Sequence, residues 1–143
     1  MMRAILTLIT ASALTLAAHA ADGELAKIQG KWETKRTNED GQKVTQTLEL
    51  KENKMTFKIL DSSGSVQFVA LADVKAQQSG AFKTFTISNI KAGRDDDSLE
   101  GADEERAYVY MLSSDTLTIV SNIDEERERP PTIDVYKKVS SSK

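Results

Sequence analysis

Cysteine is missing from the 143 residues, and the chain has one His, one Trp and two Pro. Without Cys there are no disulfides, no thiolate nucleophiles or metal sites, and no lipid attachment through an N-terminal Cys. The one His, His19, falls inside a segment whose pattern marks it for removal. The remaining chain therefore has no His. That excludes Ser-His-Asp and Cys-His mechanisms and every His-ligated zinc or iron site. It also removes the side chain that most often moves protons near neutral pH. An enzyme is not expected, and neither is a cofactor or a bound metal.

Positive charge is also scarce: 19 Lys and Arg face 22 Asp and Glu, for a net of -3. Arg3 is the only charged residue before Asp22, so without the leader about 18 basic residues face 22 acidic ones. No basic run tracks a phosphate backbone, so nucleic acid is not an expected partner. The same balance argues against electrostatic docking on anionic lipid.

The segment 1–20 reads MMRAILTLITASALTLAAHA. Arg3 precedes an uncharged run from Ala4 to Ala18. The run is about 15 residues long, shorter than the roughly 20 that span a bilayer. Ala18-His19-Ala20 ends it with a small-x-small cleavage signature. A cleavable leader over 1–20 is expected, with a single domain over 21–143 in the periplasm or secreted by a bacterium. No membrane span is expected after cleavage.

Beyond the leader, Ala21–Gly30 is read as a short helical turn capped by Asp22 and ended by Gly30. Segments rich in Val, Ile, Thr, Phe and Tyr then alternate with turn clusters. Eight strands are expected: Lys31–Thr37, Gln42–Lys51, Lys54–Leu60, Ser65–Lys75, Ala81–Lys91, Arg106–Leu112, Thr116–Asn122 and Thr132–Val139. Pro130-Pro131 delays the last strand. Short connections demand antiparallel neighbours. A meander of eight strands hides its edges by closing. The expected fold is all-β: an antiparallel up-and-down barrel, wide enough inside for side chains or one small ligand.

Gly30-Lys31-Trp32 stands at the start of the first strand, Asp40-Gly41-Gln42-Lys43 at the first turn, and Tyr110-Met111-Leu112 at the end of the sixth strand. Asp115-Thr116-Leu117-Thr118-Ile119, Arg129-Pro130 and Val135-Tyr136-Lys137-Lys138 follow in order. This ordered set resembles the small exported lipocalin-like domain, of calycin type, common in planctomycetes and related bacteria. The resemblance covers about Leu25–Lys138 and implies a fold and an address rather than a reaction. It implies that Gly30, Trp32 and Arg129 form a structural motif, the Trp32 indole closing one end under a basic side chain. Arg129 is the first choice of partner, and Arg127 or Lys138 the alternatives. Trp32 as part of a ligand wall is the functional alternative.

The expected interior set is Leu48, Leu50, Met55, Phe57, Ile59, Phe68, Phe85, Ile87, Val109, Met111, Leu117, Ile119 and Val135. Two readings stay open. These residues fill the barrel, or they line an apolar pocket with Gln46, Thr84 or Tyr110 orienting a ligand. The second reading makes Leu48, Phe57, Phe68, Phe85, Tyr110 and Met111 ligand-binding and a small hydrophobic molecule the partner. Ala92–Glu105 is read as the longest loop, carrying Asp95-Asp96-Asp97, Glu100, Asp103, Glu104 and Glu105. Its spacing does not match an EF-hand, so a solvated loop is preferred to a calcium site. A paired-carboxylate glycosidase would need a cleft that a small barrel lacks. Acidic rim loops that dock a protein in the cell envelope, over a packed interior, are the alternative to a ligand carrier.

Overall fold

Alternation of apolar and polar residues makes Lys43–Lys51 a strand with Leu48 and Leu50 buried on one face and Glu49 exposed on the other. The same logic runs along the chain in a computed structural model that describes residues 23–123 and 129–140. The expected leader lies outside the described residues, as does most of the charged connection at Glu125–Pro131. The strands are β1 (Gly30–Thr37), β2 (Lys43–Lys51), β3 (Lys54–Leu60), β4 (Val66–Ser79), β5 (Phe82–Gly93), β6 (Glu100–Ala102), β7 (Arg106–Ser113), β8 (Thr116–Ser121) and β9 (Thr132–Lys138). Every pairing is antiparallel. The ring runs β1-β2-β3-β4-β5-β7-β8-β9 and back to β1, a closed barrel of eight strands.

The turns follow from their residues. Asp61 accepts from the backbone N–H of Ser63 and of Ser65, both at 2.9 Å. Gly64 supplies the positive φ of 88° that closes this β3–β4 turn. These bonds and the Ser63 hydroxyl hold the Asp61 carboxyl below its ordinary pKa, the hydroxyl contributing most.

One end is shut by a short helix, α1 (residues 23–27). Its Leu25, and Ile28 just beyond it, are buried in the core with Trp32. The Trp32 indole N–H donates to the Ile28 carbonyl at 3.0 Å, which satisfies the buried ring. Gln29 clamps the β2–β3 turn. Its amide donates to the Glu52 carbonyl at 2.9 Å, and its carbonyl accepts from the Glu52 N–H at 2.6 Å. Glu24 reaches Lys27 at 3.1 Å, Lys83 at 3.3 Å and the Tyr110 hydroxyl at 3.3 Å. The Lys27 hydrogen bond leads in holding the Glu24 carboxyl below its ordinary pKa, against the opposing effect of burial.

Three expectations need correcting. The acidic stretch 92–105 is not one loop. Glu100–Ala102 returns along β5 as β6, with Ile90 opposite Ala102. β7 pairs with the preceding part of β5, Lys83–Ile87. Thus β6 and β7 lie one after the other along the same strand.

The inner faces of β7 and β9 are the opposite of those expected. Phe85 stacks on Tyr108 with ring centroids 4.9 Å apart, so Tyr108 and Tyr110 face inward. Met111 turns out and is 65% exposed. On β9 the register sets Lys138 opposite the inward Trp32, which puts Tyr136 and Asp134 in phase with it. Val135 and Ile133 point out, Val135 at 49% exposure. Val109, paired with outward Thr84, shares the outer face.

A bulge changes the phase of β5. Asn89 has φ 51°, and the pairing with β4 shifts by one residue between Leu71 and Asp73. After inward Phe85 and Ile87, the next inward residues are therefore Ile90 and Ala92. Asp73 anchors the bulge through the Asn89 amide at 2.7 Å and an ion pair with Lys54. Those two contacts, Lys54 first, keep the Asp73 carboxyl below its ordinary pKa.

Candidate functional site

The interior has a packed half and an open half. Around α1, the buried Ile28, Trp32, Leu50, Val74 and Leu117 fill the barrel. Towards the other end a cavity of about 360 Å³ remains. It lies at the low end of the volumes that ligand sites occupy. Its cause is in the sequence. Ala70 on β4, Ala92 on β5 and Ala102 on β6 face the space where larger side chains would fill it.

Apolar side chains make the walls: Leu48, Met55, Phe57, Phe68, Phe85, Ile87, Ile90 and Ile119. Phe57 and Phe68 meet edge to face, centroids 6.3 Å apart. Polar groups collect towards the mouth: Arg36, Gln46, Glu104, Arg106, Asp134 and Tyr136. Arg36 Nη1 lies 2.8 Å from Asp134 Oδ1. Arg106 donates through Nη2 and Nε to one oxygen of Glu104, at 2.6 and 3.1 Å. Tyr136 donates its hydroxyl to Gln46 Oε1 at 3.2 Å. Burial leads in raising the Tyr136 pKa, with the Asp134 charge next.

The Arg36–Asp134 pair sits on the weakest seam of the barrel. β1 and β9 share two register pairs, Trp32 with Lys138 and Glu33 with Lys137. All neighbouring pairs of the ring are longer. Arg36 and Asp134 stand at matching positions beyond the paired stretch and bridge the strands by side chain instead of backbone. A wider polar recess opens above, lined in part by Asn38, Asp61, Arg129 and Pro130. It shares Arg36, Gln46, Asn122 and Thr132 with the cavity and forms its mouth.

Of the residues expected to bind a ligand, Leu48, Phe57, Phe68 and Phe85 line the cavity. Met111 does not, because it faces solvent. Tyr110 does not line it either. It is buried at 3% exposure in the packed half and is tied to Glu24. Burial, then the Glu24 charge, push its pKa up to about 12. Gln46 lines the cavity at its rim, whereas Thr84 is on the outer face with Val109.

Gly30 and Trp32 take the places the motif implies, but Arg129 does not. The cation over the indole is Lys138, its Nζ 5.4 Å from the ring centroid. Arg129 lines the mouth. The reason is register: Lys138 is the cross-strand partner of Trp32, while Arg129 precedes β9 at the far end. Sequence reading missed Arg36, Arg106 and Asp134. Their phase with inward neighbours was the available signal.

Among the described residues no group of three or more His, Cys, Asp or Glu is arranged to hold a metal ion. None of their helices is long and apolar enough to cross a membrane. Comparison with protein-family models, with curated proteins and with solved structures finds no match.

Proposed function

We propose that the protein is an exported, lipocalin-like carrier that holds one small apolar or amphipathic molecule inside the barrel and does no chemistry on it. The observation that carries this reading is the 360 Å³ cavity, with aromatic and aliphatic walls and a polar mouth. Ligand pockets combine those two features: apolar area drives entry and a few polar groups fix orientation. The absence of Cys, and of His beyond position 19, removes the Ser–His and Cys–His nucleophile–base pairs. The leader pattern of 1–20 supports export.

Titration with an environment-sensitive apolar fluorophore tests the reading. Saturable binding at one site is expected. It is lost in the Ala70→Leu/Ala92→Leu double variant, whose folding is checked by circular dichroism. Absence of binding, or equal binding by the folded, filled variant, contradicts the carrier.

A further inference from the structure

The rim pairs say what kind of molecule the cavity accepts, an inference that rests on the carrier reading. Arg36 is neutralised by Asp134 at 2.8 Å, and Asp134 has a side chain only 12% exposed. Arg106 is paired with Glu104, which accepts from its Nη2 and Nε on one oxygen. Both cations that line the cavity itself, Arg36 and Arg106, thus have a carboxylate partner. An entering carboxylate that takes Arg36 strands Asp134 in a nearly closed place, which is strongly unfavourable. An entering ammonium has to compete with Arg36, which already holds Asp134 at 2.8 Å. An uncharged head group displaces neither. Tyr136 and Gln46 offer it a neutral site, the Gln46 amide nitrogen bringing two donors and the Tyr136 oxygen an acceptor. At about 30 Å³ per water-sized atom, the cavity encloses about a dozen non-hydrogen atoms.

We propose that the cavity selects an uncharged amphiphile of about that size, an alcohol, ester or amide on an apolar body, and that Asp134 excludes carboxylates by occupying Arg36. The test is displacement of the bound fluorophore by decanol, decanoate and decylammonium. In the unaltered protein, decanol displaces at a concentration at least ~tenfold below either ion. In Asp134→Asn, decanoate improves at least ~tenfold relative to decanol, because Arg36 loses its partner. If that variant does not fold, Glu104→Gln takes the carboxylate from Arg106 and is expected to move the ratio in the same direction. Decanoate competing as well as decanol in the unaltered protein overturns the proposal, as does an unchanged ratio in a folded variant. Both results leave the carrier reading standing. Failure of all three compounds, together with fluorophore binding that ignores the filled cavity, removes the carrier reading and this proposal together.

Discussion

Lys138 crosses from β9 to lie over the Trp32 indole, and its Cε comes to 3.2 Å from where a β-carbon on Gly30 would stand. The three residues therefore act as one unit. Gly30 also has φ 115°, which side chains rarely tolerate. Glycine is needed there twice, for its backbone angle and for the room it leaves the lysine.

Trp32→Ala is expected to cost about 3–5 kcal/mol, because the indole is 1% exposed and its loss opens a large void at the shut end. Gly30→Ala is expected to cost roughly 1–3 kcal/mol through backbone strain. Lys138→Met should cost no more than about 1 kcal/mol, the scale of a cation–ring contact made by an exposed lysine. Urea unfolding of the three variants checks the order. A Lys138→Met loss matching that of Trp32→Ala would break this division of roles.

Gln29→Ala removes both hydrogen bonds to the Glu52 backbone. The expected loss is on the order of 1–2 kcal/mol. Amide hydrogen exchange should speed up in α1 and the Glu52-Asn53 turn, with little change at the β3–β4 turn. Uniform acceleration across the barrel would show that the clamp is not local.

Alkaline titration reports on Tyr110. Its pKa rises from the ordinary 10.0 to about 12 on folding. The associated stability is fully present below pH 10 and is lost as pH climbs through 12. Melting temperature should therefore fall across that window, and Tyr110→Phe should fall less steeply. Near-ultraviolet absorbance gives the second reading: the late tyrosinate signal should shrink in Tyr110→Phe. Identical pH profiles for the two proteins would remove Tyr110 as the source.

Much of the barrel can be read in the chain, because alternation and short turns each constrain the answer. β2 and β3 present Leu48, Leu50, Met55 and Phe57 on one face against polar residues on the other. β7 is different. Val109 and Met111 on one side and Tyr108, Tyr110 and Leu112 on the other are all apolar, so alternation alone does not choose. The pairing of Tyr108 with inward Phe85 decides. β6 has the sequence Glu-Gly-Ala, with no pattern of its own, and exists through Ile90 and Ala102. The bulge at Asn89 likewise has no local signature.

The apolar walls of the site were legible because Leu48, Phe57, Phe68 and Phe85 are large and in phase. The rim was not. Arg36 and Asp134 lie near opposite ends of the chain, and each looks like an ordinary surface charge until closure of the barrel sets them face to face. Lys138 reaches Trp32 for the same reason, through the register of the closing strands.

Whether the cavity is occupied is the central question. Native mass spectrometry, with organic extraction, on the protein purified from the cells that make it answers it most directly. A co-purifying small molecule is expected, and it should be lost from the folded Ala70→Leu/Ala92→Leu variant. A clean unliganded mass for the unaltered protein, above all with a co-eluting protein partner, would contradict the carrier and favour a barrel that works through its rim loops.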